Sequence, residues 1–387
     1  MGGITREESL VSVTVILSSS RLLGTGENLM GKDLMGKKNV LRVGAVVLAL
    51  GLVVVAGCSS SSSSSKKAPA DIAPKELRTV ATGTSTAAAA KGTIFTCTPL
   101  TMTAASTPWA SNGIIDVSKI PTVPGSVTME SKFEITTTDT QRILVGNGVP
   151  NHPIGTFPIA PGTEAYTYYS ALPAGGYANA AEIPVGPYDL QLTIPKNPTV
   201  NATPTCFDGL ITGVSHLTGA SWHAELAPDS SFNFYDPNAA LPTDLCFGHP
   251  YTTQYHYHGY SYKCMPDQGN AGEQSPMFGY AIDGFGIFGP LDANGEQITN
   301  DQLDECHGMT SMIPWDGQMV EMYHYVINNE YPYSVGCLRG TPGTMSHDMM
   351  THYFRQRSAK ARRNAGPSSR LGESWNDYRR SMMVTLA

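Results

Sequence analysis

From residue 93 onward, short apolar or alternating runs are separated by turn residues. The stretches 127–135, 142–145, 188–194, 278–282 and 322–327 read as strands of a few residues each, the period-2 signature of half-buried sheet. Proline or glycine interrupts nearly every interval between them, as at Pro150, Pro153, Pro158, Pro161, Pro184, Pro187 and Pro195. No amphipathic helix longer than about three turns is predicted before residue 340. The pattern predicts one mainly β domain over 93–354, antiparallel and sandwich-like or barrel-like, with many short strands and long Gly/Pro-rich loops.

The N-terminal pattern is different. Val43–Val55 is an apolar run behind Lys37, Lys38 and Arg42, and it ends in Val55-Ala56-Gly57-Cys58 before a run of serines. A basic region, a short apolar region and small residues form an export signal. The run is too short for a membrane span, which needs roughly 20 residues. Cys58 directly after Val-Ala-Gly resembles a bacterial lipobox, in which the cysteine is acylated. Residues 35–57 are therefore expected to be a lipoprotein signal peptide, and 58–92 a Ser/Ala-rich tether. Residues 1–34 are expected to be an extension without a structural role. The expected location is extracytoplasmic, periplasmic or cell-surface, with a lipid anchor in the membrane; Ser59 fits outer-membrane sorting if the host has two membranes.

Charge sharpens this picture. Residues 58–354 carry 11 Lys/Arg against 26 Asp/Glu, whereas 355–387 carry 8 against 2 and read as a disordered basic tail. The acidic body repels phosphate backbones, which excludes nucleic acid as a partner. With Cys58 committed to lipid, six cysteines remain (Cys97, Cys206, Cys246, Cys264, Cys306 and Cys337), an even number in an exported chain. Cys246–Cys264 and Cys306–Cys337 are the local pairings, each bracketing a His/Tyr motif, and Cys97–Cys206 would close the remainder. Serine-hydrolase, P-loop and dinucleotide fingerprints do not occur.

The densest chemistry is Cys246-Phe-Gly-His249-Pro, then Tyr255-His256-Tyr257-His258-Gly259 and Cys264. On a strand, His256 and His258 share one face and the tyrosines take the other. Two imidazoles at that spacing can converge on a transition metal such as zinc or copper. A related unit follows in Asp304-Glu305-Cys306-His307-Gly308 and Tyr323-His324-Tyr325, with Val326 where the first copy has His258. His256, His258 and His324 are the candidate metal ligands, the last brought in by pairing of the two hairpins. His249, Asp283, Asp304, Glu305 and His307 are candidates for completing the shell. Ser221-Trp222-His223-Ala-Glu225 offers a further His/Glu pair, weak by itself.

The Cys-bracketed Tyr255-His256-Tyr257-His258 resembles the signature of the YHYH-domain family. Ser275–Pro290, Leu303–Cys306, Tyr331–Cys337 and the upstream Gly146–Gly155 are similar to other stretches of that domain, so the resemblance covers about 127–341. It implies an exported or lipid-anchored protein and brings no established reaction. Two functions are therefore expected to compete. One is a metal ion held for binding or for chemistry on an unknown substrate. The other is a non-catalytic envelope module that contacts a small molecule, glycan or protein and whose Tyr/His ladders are architectural.

Overall fold

The computed structural model describes residues 77–346 apart from 171–179, 181, 230–232 and 266–272. Cys58, the expected signal, most of the expected tether and the basic C-terminal segment from residue 355 lie outside the described residues. Among the described residues the chain is mainly β, with no closed barrel. Its centre is an eight-stranded sheet built from β1 (Ile211–Ser215), β2 (Ser221–His223), β3 (Gly248–Tyr251), β4 (Gln254–Tyr257), β5 (Met277–Ala281), β6 (Gly286–Phe288), β7 (Gly308–Trp315) and β8 (Gln318–Val326).

A second layer gives the sandwich. Strands Phe133–Thr137, Gln141–Gly146, Leu190–Pro195 and Thr344–Met345 form a four-stranded sheet. Its Leu144, Leu190, Leu192 and Ile194 pack against Val214, Tyr280, Phe288, Ile313 and Trp315 of the central sheet. Leu190, Leu192 and Ile194 are alternate, inward positions of one strand, the period-2 pattern legible in the sequence, whereas Val214, Phe288, Ile313 and Trp315 lie on strands outside the predicted stretches. The strand predicted from Val127 begins only at Phe133, and Val127 makes an isolated bridge to Ile154. At this end Asn147 donates its backbone N–H to the Lys132 carbonyl at 2.9 Å, and its side chain accepts from the Lys132 N–H at 3.0 Å and donates to the Glu130 carbonyl at 2.7 Å.

The order across the central sheet is β3-β4-β2-β1-β5-β6-β8-β7, and it reads as two copies of one four-stranded unit. β1 and β5 meet antiparallel with Val214 opposite Tyr280 at the centre. Outward from that line, β2 and β6 each pair antiparallel with the preceding strand through a register shift at the same place. β4 and β8 then pair parallel with β2 and β6. The hairpins β3–β4 and β7–β8 close the two edges. Such palindromic order with antiparallel contact at the midline is what a two-fold relation between copies produces.

The side chains repeat as well. In the first copy Asp244 accepts from the backbone N–H groups of Cys246 and Gly248, and from the Tyr255 hydroxyl at 2.9 Å. In the second, Asp304 accepts from Cys306, Gly308 and Tyr323 in the same way. Gly248 and Gly308 are required at these turns, because an added Cβ would lie 2.1 and 2.2 Å from the hydroxyls of Tyr255 and Tyr323. Each turn is tied down by a disulfide, Cys246–Cys264 and Cys306–Cys337, and Cys97–Cys206 forms the third bridge.

The tether ends earlier than expected. Leu77–Thr79 pairs antiparallel with Ile114–Asp116, and Arg78 is fully buried rather than solvated. Its guanidinium bonds Asn238 and the Tyr260 carbonyl and lies 4.4 Å from the centre of the Phe247 ring. The two terminal nitrogens of this buried cation are thereby bonded, while its Nε has no partner among the described residues.

Asp244 also accepts from Gly155 N–H and is almost wholly buried, whereas Asp304 is about a quarter exposed. Asp244→Ala is therefore expected to cost about 3–5 kcal/mol, and Asp304→Ala about 1–3 kcal/mol, in unfolding by denaturant. Equal, small losses would show that these carboxylates do not hold the turns.

Candidate metal centre

Three histidines meet in the first copy. His249 lies directly across the hairpin from His256, which fixes both on one face. His258, one residue beyond β4, turns in from the same side. The Nε2 atoms of His249 and His256 each lie 3.0 Å from Nε2 of His258, and all three fall within 4.8 Å of one another. Each ring is 2 % exposed.

The other ring nitrogen of each histidine is already engaged. His256 Nδ1 donates to the Gln254 carbonyl at 3.2 Å. His249 Nδ1 meets the Tyr169 hydroxyl at 3.1 Å, and because that hydroxyl gives its hydrogen to the Pro242 carbonyl, the imidazole must donate. His258 Nδ1 faces Glu225 Oε2 at 3.1 Å. A neutral imidazole has one hydrogen, so these partners leave lone pairs on Nε2 of His249 and His256. If Glu225 is ionised, Nε2 of His258 also carries a lone pair. If Glu225 is protonated it can give its hydrogen to His258, whose own hydrogen then sits on Nε2. In either state at most one of the two 3.0 Å contacts contains a proton. The remainder is lone pair against lone pair, an arrangement that a cation would stabilise.

Electrostatics keep the rings neutral. Burial lowers His223, His249 and His256 well below the ordinary imidazole range, and neighbouring histidines add to it. Burial, then the Arg78 charge, brings His258 down to about 3. Neutral imidazole is the metal-ligating form. Behind the rings, burial pushes Glu225 up to about 8, opposed by hydrogen bonds from Gly259 and Asn238 and by the charge of Arg78. Glu225 fixes the orientation of the His258 ring, and once ionised it is the carboxylate partner that a metal-ligating histidine commonly has.

The donor set fits a transition-metal ion. Two nitrogens about 2.0–2.1 Å from one ion, at angles between square and tetrahedral, are about 2.8–3.4 Å apart. Two of the three edges match that separation. His223 stands beside them: its ring stacks on His256 with centroids 3.7 Å apart and planes 9° apart, and its Nε2 has no hydrogen-bond partner among the described residues. The four rings, with Leu210, Leu226, Ala227, Pro228 and Tyr251, line a cavity of about 10 Å³.

Several expected ligands lie elsewhere. His324 occupies the position of His256 in the second copy, but β8 and β4 are five strand spacings apart in the sheet, roughly 24 Å. The two hairpins close opposite edges and do not pair, so His324 cannot join the centre. Its cross-strand partner is Met309 where the first copy has His249. Phe288 and Val326 stand where the first copy has His223 and His258. Asp283 accepts from Tyr325 at 2.6 Å and from Gly340 N–H at 2.8 Å, and Asp304 holds its turn. Glu305 pairs with Arg339 at 3.1 Å, and both nitrogens of His307 meet carbonyls, of Val326 and Glu330. A further grouping of His152 with Cys246 and Cys264 offers no thiolate, because the two sulfurs are bonded to each other.

His324 is buried, and burial lowers it to about 4. Between that value and the ordinary 6.5, the unfolded chain takes up a proton that the folded chain refuses, so falling pH through this window favours unfolding. Relative to wild type, His324→Leu should therefore gain up to about 1.4 kcal/mol for each pH unit below 6.5, read from denaturant midpoints at pH 7 and pH 5. A difference independent of pH would show that His324 titrates normally in the folded protein.

No protein of curated function and no solved structure matches the chain. Residues 191–299 match the family model described as YHYH protein, a stretch holding β1–β6 and all four histidines of the cluster, and the chain carries a YHYH-family domain there.

Proposed function

We propose that this protein binds one divalent transition-metal ion, zinc or copper, through Nε2 of His249, His256 and His258, on a lipid-anchored domain outside the cytoplasm. The observation that carries the metal reading is the convergence of three imidazole nitrogens whose opposite nitrogens are already engaged. An all-imidazole set suits zinc and copper better than magnesium or calcium, which prefer oxygen. Three protein ligands leave a coordination position open, the arrangement of reactive rather than purely structural sites. The anchor rests on Cys58 and the apolar run before it, and the compartment on the export pattern and the cysteine count.

The architectural reading accounts for part of the motif. Both copies keep the Asp–Tyr turn, and the second tyrosine also keeps a buried bond, from Tyr257 to Thr218 and from Tyr325 to Asp283. The tyrosines are therefore structural wherever they occur. His223, His249 and His258 occur in the first copy alone, and the second folds without their equivalents. The fold does not require them, which favours a chemical role.

Tag-free protein should carry about one zinc or copper per chain by elemental analysis. Less than about 0.2 per chain, unchanged after incubation with either metal, would reject the proposal. Chelation should lower wild-type stability by about 3 kcal/mol if free metal had been near 100-fold its dissociation constant. His256→Ala and His258→Ala should lose the ion and this chelator response while retaining the β-sheet circular dichroism spectrum, and His324→Ala should keep the ion. Equal metal content in all three variants would place the ion elsewhere.

A further inference from the structure

His223 shares the cavity with the three converging histidines yet is placed differently from them. Its ring lies face to face with His256 at 3.7 Å and within 9° of parallel. Imidazole lone pairs lie in the ring plane, so stacked rings direct them along lines separated by about the stacking distance. One ion cannot lie on both lines. His223 therefore cannot bind the ion held by His256 without leaving the stack.

Its Nε2 nevertheless needs a partner. The atom is buried, with none among the described residues, and an unpaired buried nitrogen of this kind costs about 1–3 kcal/mol. The adjoining cavity of about 10 Å³ has room for about one water-sized group. Its other walls are mostly hydrocarbon, from Leu210, Leu226, Ala227 and Pro228, and offer such a group little competing hydrogen bonding. Phe288 fills the equivalent place in the second copy, where the equivalents of His249 and His258 are also not histidine. The hydrogen-bonding ring is thus present in the copy that has the converging nitrogens and replaced by hydrocarbon in the copy that has lost them.

We propose that the open position of the ion takes a water-sized ligand, such as water, hydroxide or a monatomic anion, and that His223 hydrogen-bonds to this ligand instead of ligating the ion. The proposal rests on the metal reading above and adds the class of ligand and the residue that selects it. His223 is a positioning residue for the bound ligand in this scheme.

Fluoride is the probe, because it matches hydroxide in size, accepts hydrogen bonds and splits the electron paramagnetic resonance lines of copper(II). Copper-loaded wild type should show fluoride splitting. His223→Phe, which installs the residue of the second copy, should need roughly tenfold more fluoride per bound copper for the same splitting. His223→Gln retains an amide donor and should fall nearer wild type. It also serves as the test should the phenylalanine variant fail to fold. Unchanged fluoride affinity in the folded variants would overturn the proposal. So would loss of copper from both variants with the fold intact, because His223 would then be a ligand of the ion. Wild type without any copper signal would instead remove the metal reading, and this proposal with it.

Discussion

The structure turns on the orientation of three imidazoles, and that orientation is set by hydrogen bonds at the nitrogens facing away from the centre. Gln254, Tyr169 and Glu225 each hold one Nδ1, which aims the Nε2 atoms of His256, His249 and His258 at one another. Two of these partners come from outside the hairpin. Tyr169 arrives on the helix Glu164–Ser170, and Glu225 follows β2, the strand parallel to β4. The hairpin alone would place the histidines on one face without fixing which nitrogen each presents. Much of the surrounding fold brings those two partners into position.

Glu225 shows what this arrangement costs. A buried carboxylate is unfavourable by several kcal/mol unless its oxygens are bonded and its charge is answered. Gly259, Asn238 and His258 supply the bonds, and Arg78 answers the charge through Asn238 and from the Leu77–Thr79 strand. That strand lies 147 residues before Glu225. Its recruitment explains why residues with the composition of a tether are packed into the body.

Much of the fold was legible in the sequence because it rests on local rules. The β class, three of the four strands of the second layer, three of the eight central strands (β4, β5 and β8) and the pairing of the cysteines around each His/Tyr motif follow from alternation, turn residues and spacing. His256 and His258 were legible as a same-face pair, and His249 as a neighbour. His223 was visible only as half of a weak His/Glu pair, since its membership depends on the parallel alignment of β2 with β4, a non-local pairing. His324 misled for the same reason. The echo of Tyr255-His256-Tyr257 in Tyr323-His324-Tyr325 is real, but sequence similarity between two hairpins does not distinguish neighbours from counterparts at opposite edges of a sheet. Arg78 carried no signal, because a charged residue in an Ala/Thr-rich stretch is ordinarily solvated.

The paired units separate architecture from chemistry within one chain. Features present in both copies (the Asp-centred turn, the glycine beneath the tyrosine hydroxyl, the disulfide and the matched bulge) are those that the backbone needs. Features present in one copy alone are free of that need. Of the four histidines around the cavity, only His256 has a histidine counterpart, and in the second copy that ring packs edge-on to Phe288 at 5.1 Å where His256 stacks on His223. A histidine in this position can therefore serve the fold without a metal. The distinguishing element of the first copy is the addition of His223, His249 and His258 to a framework already stable without them. A Tyr-His-Tyr-His string is by this argument two motifs superimposed: tyrosines that build the edge of a sheet, and histidines that become a centre only when β2 and β3 bring further rings to meet them.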